Sequence, residues 1–208
     1  MRLILTEADV AEGCAALAVR CPRMAHAHAL AGVPPVRERR DGFAGLLKAI
    51  VSQQVSVAAA DAIWSRLEAA GLHEPGAILA ATDEALRAPG LSRNKARYAR
   101  ALAEARIDWG GLRGAPTEEV IEVLTAVPGV GVWTAEVYAL FALGHADVFA
   151  PGDLALQEGA RMLYGLDERP KERALRAMAE DWAPWRAVAA RLLWAYYAHQ
   201  KGREGVTA

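Results

Sequence analysis

Cysteine is nearly absent. Only Cys14 and Cys21 occur in 208 residues, so no disulfide framework holds the fold together, and the sequence fits a reducing cytosol. Long apolar runs are missing too. The longest stretch free of Asp, Glu, Lys and Arg is 13 residues, short of the roughly 20 that cross a bilayer as a helix. The opening residues meet Glu7 and Asp9 before any signal-peptide core can form. Neither sign of charge dominates, with 24 basic side chains against 25 acidic ones and a net charge of −1. That excludes a grip on nucleic acid through a bulk positive field, but leaves room for a few local contacts. What is plentiful is apolar: 53% hydrophobic residues beside 24% charged ones exclude disorder and a collagen-like chain. The length suits one medium domain or two small lobes.

No stretch alternates apolar and polar residues, whereas steps of three and four recur, so the sequence predicts an all-α protein with short loops. Thr6 to Asp9 reads as a capping arrangement opening a helix that Pro22 ends. A connector from Gly32 to Asp41 follows, with Pro34 and Pro35 barring any helix. Phe43, Leu46, Leu47, Ile50 and Val51 then mark an amphipathic helix that stops near Ser52-Gln53-Gln54. Ser56 caps the next helix, which runs to Gly71. Short helices are predicted over Pro75 to Ala80 and Asp83 to Ala88, and Ser92 caps another through Ala105. Trp109-Gly110-Gly111 breaks the chain before Thr117 caps a helix through Ala126. A tight turn leads into a helix from Val132 to Leu143, and residues 144–152 form a loop. Three more helices are expected: Asp153 to Tyr164, Pro170 to Glu180 and Pro184 to Gln200. No internal repeat is evident.

The turn Val127-Pro128-Gly129-Val130-Gly131 carries most of the information. Glycines at 129 and 131 permit positive φ and close backbone approach. The amides of residues 130 to 133 begin a helix, so they face outward beside the positive end of its dipole, a setting suited to a phosphate. An ordinary αα-hairpin would need the same glycines only to make its turn.

The surrounding residues separate these readings. Leu124 to Glu136 resembles the helix-hairpin-helix of the base-excision DNA glycosylases, and Pro151-Gly152-Asp153 looks like that superfamily's Gly/Pro-rich loop and its aspartate. Ile50 to Ala59, Gly90 to Ala96 and Trp182 to Arg186 resemble segments of one branch, the DNA-3-methyladenine glycosylase II family. The resemblance runs from about residue 43 to 197. It implies a base-flipping enzyme that removes alkylated purines from DNA.

Under that resemblance Asp153 is the catalytic residue. As a bare residue it is a helix N-cap, yet the same place favours its ionised form. Cleavage of an N-glycosidic bond builds positive charge on the sugar, which a nearby carboxylate stabilises. Trp133 stands where bifunctional relatives have the lysine of Gly-x-Lys, so hydrolysis by water without a Schiff base is expected. Its ring, otherwise a core side chain, would face a flat cationic base. Trp194 reads either as a second pocket aromatic or as a core residue beside Leu192 and Leu193. Val137 shares the face of Trp133 where some relatives have tyrosine; Tyr138 lies about 140° away and should pack elsewhere. Trp182 and Trp185 read as structural. Gln53 and Gln54 read as a polar connector; by resemblance Gln54 wedges into the duplex where the base has left.

Pro128, Gly129, Val130, Gly131, Trp133 and Thr134 complete the expected DNA contacts. The carbonyls of Thr125, Val127 and Gly129 match positions that hold a monovalent cation, Na+ or K+, in this hairpin. Arg93, Lys95, Arg97 and Arg100 either touch phosphate or form a solvated face. Cys14, Cys21, His26 and His28 match no zinc spacing, and the four clustered cysteines of an iron–sulfur cluster are missing. The expected organisation is a central bundle over residues 43–145 and a second lobe from residues 1–42 and 146–208, with the aspartate in an interlobe cleft. The expected enzyme is a monomer acting on double-stranded DNA in the cytoplasm, at the bacterial nucleoid, with no required cofactor and no membrane partner. Alternatives are a glycosylase for deaminated or mismatched bases and a non-catalytic helix-hairpin-helix DNA-binding module.

Overall fold

The computed structural model describes residues 1–36 and 40–202. Among these the chain forms thirteen α-helices. In chain order they are α1 (Glu7–Arg20), α2 (Pro22–Ala31), α3 (Gly42–Ser52), α4 (Val57–Ala69), α5 (Pro75–Ala80), α6 (Asp83–Arg87) and α7 (Arg93–Glu104). There follow α8 (Trp109–Leu112), α9 (Thr117–Thr125), α10 (Val132–Tyr138), α11 (Leu154–Tyr164), α12 (Glu172–Ala179) and α13 (Arg186–Gln200). No strand occurs among the described residues; one isolated antiparallel bridge pairs Leu3 with His145. The fold is all-α.

Most predicted starts coincide with real caps. Thr6 closes a reciprocal box with Asp9, and the hydroxyls of Ser56 and Ser92 accept from Ala59 and Lys95. Four places differ. Pro22 ends α1 and also begins α2, a helix that the sequence reading does not assign: at its first position proline gives up an N–H that needs no partner. Pro116, not Thr117, occupies the N-cap of α9. Trp109-Gly110-Gly111 does not break the chain but forms the short α8, because the Asp108 side chain accepts from the Gly111 amide. Finally, the helix expected to reach Leu143 keeps α geometry only to Tyr138; its last five residues, Ala139–Leu143, wind as a π-helical turn. Residues 37–39 of the predicted connector, and 203–208 of the predicted second lobe, lie outside the described residues.

The chain divides into two compact units, Arg40–Tyr138 and the flanking Met1–Arg39 with Ala139–Ala208. In the first, α3 is the core helix. Its predicted stripe, Phe43, Leu46, Leu47, Ile50 and Val51, is buried, and α3 packs against α4, α7 and α10. Removing such a stripe from water is the main force that assembles a helical unit.

In the second unit α13 is the axis. It is buried on nearly every side, from Ala187 to Ala198, and α1, α2 and α11 pack against it. Small residues let the backbones approach. A Cβ built on Gly159 of α11 would sit 2.9 Å from the Leu193 carbonyl oxygen of α13, so Gly159→Ala is expected to destabilise the fold by roughly 1–3 kcal/mol, the usual scale of overpacking. Urea titration would check this, and an unchanged midpoint would show that the two helices can separate at no cost. Cys14 is buried in the same core, and burial pushes its thiol up to about 11. It therefore stays protonated at neutral pH.

Candidate active site and nucleic-acid interface

The hairpin lies wholly within Arg40–Tyr138. Helix α9 ends at Thr125, the Val127 N–H donates to Leu124 O (3.1 Å), and the Val130 N–H donates to Val127 O (3.0 Å). Helix α10 then starts from Gly131, whose carbonyl accepts from Ala135 (3.0 Å). Only one of the two expected glycine roles is conformational. Gly129 has φ +92, and a Cβ there would lie 2.3 Å from the Tyr98 ring. Gly131 has no positive φ, and a Cβ on it would meet nothing within 4 Å; its bareness simply leaves the surface open. Val130 is lost from the expected row of outward amides, since it spends its N–H inside the turn. Pro128, Gly131, Val132 and Trp133 are exposed, whereas Val130 and Thr134 are buried.

Trp133 presents its indole outward at 42% exposure, which is unusual for so large an apolar ring and argues against a purely packing role. Val137, one turn on, is half-buried. Tyr138 packs elsewhere, as its position round the helix implies. It lies against Trp109, its hydroxyl accepts from the Gly42 N–H (2.6 Å), and burial raises its pKa to about 12.

The loop after α3 is tied to this hairpin. Gln53 Nε2 donates to Gly129 O (3.1 Å) and to Thr134 Oγ1 (3.3 Å), so its amide nitrogen braces the turn. The next residue, Gln54, is exposed and has φ +57, a left-handed conformation rare outside glycine. Lys95 supports the loop from α7, with Nζ donating to Val51 O and Gln53 O at 2.7 Å each. Of the other three basic residues considered for phosphate, Arg100 donates to Ile78 O, Ala81 O and Asp83. The Arg97 guanidinium lies 5.4 Å from the Tyr98 ring centre. Arg93, at the start of α7, is exposed.

Asp153 belongs to the other unit. It is the N-cap of α11, and one carboxylate oxygen, Oδ1, accepts from Ala155 N (2.9 Å), Leu156 N (3.0 Å) and Trp194 Nε1 (3.1 Å). Three N–H donors converge on a single atom, which fixes the plane of the carboxylate. The preceding loop is braced by Gln157, whose buried amide donates to Pro151 O (2.8 Å). Trp194 is thus neither buried core nor a loose ring: it is half-buried, bonded to the acid, and stacked on Phe141 at 5.4 Å with 27° between planes. Phe141 also lies beside Arg191, whose guanidinium is 4.6 Å from the ring centre and donates to Leu140 O. The sequence reading misses Phe141 and Arg191. A lone arginine in the apolar run Ala187 to Leu193 was the available signal, because an almost fully buried charge needs a reason. Trp182 and Trp185 are buried, in keeping with a structural role.

Trp194→Phe would keep the stack on Phe141 and remove only the donor to Asp153. If the acid must be held in one orientation, base excision should fall roughly tenfold, the low end for a hydrogen bond to a charged group. Single-turnover kinetics would check this, and a wild-type rate would mean that the two helix amides orient the carboxylate unaided.

An acid at a helix cap after a Pro-Gly turn and a helix-hairpin-helix thus occur in one all-α chain. The model of the HhH-GPD superfamily of base excision DNA repair proteins matches residues 47–184, and the chain belongs to that family. It is a base excision repair enzyme of the DNA glycosylase class. The chain is 34% identical over 170 residues to DNA-3-methyladenine glycosylase 1 of Schizosaccharomyces pombe, covering 76% of this chain and 73% of that one. Identity to DNA-3-methyladenine glycosylase 2 of Escherichia coli is 30% over 168 residues, 74% of this chain and 57% of that protein. Among solved structures, a DNA-3-methyladenine glycosidase from Bacillus halodurans superposes with a TM-score of 0.79 at 36% identity, over 96% of this chain and 93% of the other. The Schizosaccharomyces pombe 3-methyladenine DNA glycosylase, solved in complex with abasic DNA, gives 0.78 at 29% identity over 91% and 97%.

Proposed function

We propose that this protein is a monofunctional DNA glycosylase that hydrolyses the N-glycosidic bond of alkylated purines, 3-methyladenine and 7-methylguanine, in double-stranded DNA. The observation that carries this reading is the Asp153 carboxylate, fixed by three N–H donors on one oxygen. Relatives named as 3-methyladenine glycosylases support the substrate class.

The chemistry follows from charge. A 3-methylated adenine bound to deoxyribose is already cationic, so the bond electrons leave with the base and a neutral purine departs. Positive charge passes to the sugar, where a preorganised anion lowers the barrier without reorganising at the moment of reaction. Water then attacks C1′ and sheds a proton, leaving an abasic sugar. Lysine is missing from the Gly131-Val132-Trp133 position, so no covalent enzyme–sugar adduct forms. Flipping the nucleotide costs a few kcal/mol, least where damage has weakened stacking. The exposed indole of Trp133, with Val137 beside it, is the surface assigned to the flipped base, since a cationic ring favours an electron-rich face.

The exposed turn Pro128 to Trp133 is assigned to backbone phosphate, and Gln54 to the gap in the duplex. The carbonyls of Val127 and Gly129 each accept one hydrogen bond in the structure and keep a second lone pair, so with Thr125 they fit a hard monovalent ion. Na+ or K+ held there would add positive charge beside the phosphate site.

Incubating the protein with methylated duplex DNA should release 3-methyladenine and 7-methylguanine and leave alkali-labile sites. Borohydride should trap no protein–DNA adduct. Faster release of uracil or hypoxanthine would move the enzyme to deaminated bases, and no release from any duplex would leave a DNA-binding module.

A further inference from the structure

Lys95 looks, in sequence, like one more basic residue on a helix that faces DNA. Its contacts say otherwise. Two of its three ammonium donors are engaged at 2.7 Å by the carbonyls of Val51 and Gln53. The first belongs to the last turn of α3, whose carbonyls lack partners within the helix, and a cation suits that negative end. The second immediately precedes Gln54, the residue at φ +57. Such a conformation is strained for a non-glycine residue and persists only where neighbours hold it.

Two neighbours do so here. Lys95 clasps the backbone on the near side of Gln54, and the Gln53 side chain ties the same segment to Gly129 and Thr134. Partial desolvation lowers the pKa of Lys95, as expected for an ammonium turned inward onto carbonyls and away from water.

We propose that Lys95 is a positioning residue for Gln54: by clasping the carbonyls of Val51 and Gln53 it holds the loop in the strained form that presents Gln54 to the duplex. This rests on the glycosylase reading, in which Gln54 fills the gap left by the flipped base. It separates Lys95 from a phosphate contact, which would act through charge at long range and leave loop geometry alone.

The test compares Lys95→Met, Gln54→Ala and the double variant with wild type. Single-turnover excision is measured on methylated duplex, and affinity on a duplex carrying a tetrahydrofuran abasic analogue at several salt concentrations. Lys95→Met should slow excision about ten- to a hundredfold, the scale of a small misplacement at a distance from the chemistry. The slope of log Kd against log salt should stay at the wild-type value. The double variant should be no slower than Gln54→Ala alone, because a positioning residue has nothing left to position. A salt slope smaller by about 1 would overturn the proposal in favour of a phosphate contact. So would a Lys95→Met loss that multiplies with Gln54→Ala, or wild-type activity in Lys95→Met. Should the methionine variant fail to fold, Lys95→Gln, which keeps an uncharged N–H donor group on a shorter side chain, is read by the same criteria. Wild type that releases no base would overturn the glycosylase reading itself, whereas an active wild type matched by Lys95→Met overturns only this inference.

Discussion

Asp153→Asn is expected to lower single-turnover base excision by roughly 10²–10³-fold, the loss typical of one preorganised electrostatic group, while folding and DNA affinity stay close to wild type. The separation is possible because asparagine caps a helix about as well as aspartate. Its amide oxygen can accept the same bonds from Ala155, Leu156 and Trp194. What disappears is the charge. Melting temperature, affinity for an abasic-analogue duplex and excision rate, measured together, decide the matter. An asparagine variant that excises at the wild-type rate would remove Asp153 from the chemistry. Asp153→Ala is less clean, since it also loses the cap, at about 0.5–2 kcal/mol.

Gly129→Ala should have the other large effect, and on a different quantity. A Cβ there would fall 2.3–2.7 Å from three atoms of the Tyr98 ring, and the backbone sits at φ +92. Strain and overpacking together predict a loss of roughly 2–5 kcal/mol, and DNA affinity should fall with it because the turn must shift. Gly131→Ala, two residues away, has no positive φ and open space around its Cβ, so its stability should match wild type. Tyr98→Ala should restore part of what Gly129→Ala loses by clearing the clash. Denaturant melts of the four variants would check this. Equal losses at both glycines would mean that the turn depends on flexibility in general and not on Tyr98.

Local chemistry was readable from the sequence wherever one segment decides its own conformation. The stripe from Phe43 to Val51, the caps at Thr6, Ser56 and Ser92, and the stop at Gln53 all follow from residues a few positions apart. Helix α2 was not readable, because Pro22 serves two helices at once and its ten residues carry only Met24 and Ala27 as buried positions. The candidate site shows the same division. Asp153 and the Gly129 turn announce themselves locally. By contrast, Trp194 reaches Asp153 across 41 positions and Lys95 reaches Val51 across 44, and no pattern in either segment points to the other. Gln53 likewise looks like an exposed connector until the fold brings Gly129, 76 positions on, against its amide.

The cap at the head of α11 has an evolutionary corollary. One side chain closes a helix and, in the proposed mechanism, opposes charge on a sugar, so most replacements there would damage architecture and catalysis together. Asparagine, serine, threonine and glycine are the replacements that still end a helix well. A duplicated copy of this gene released from repair duty would therefore drift toward those residues, surviving as a folded protein that leaves every base in place.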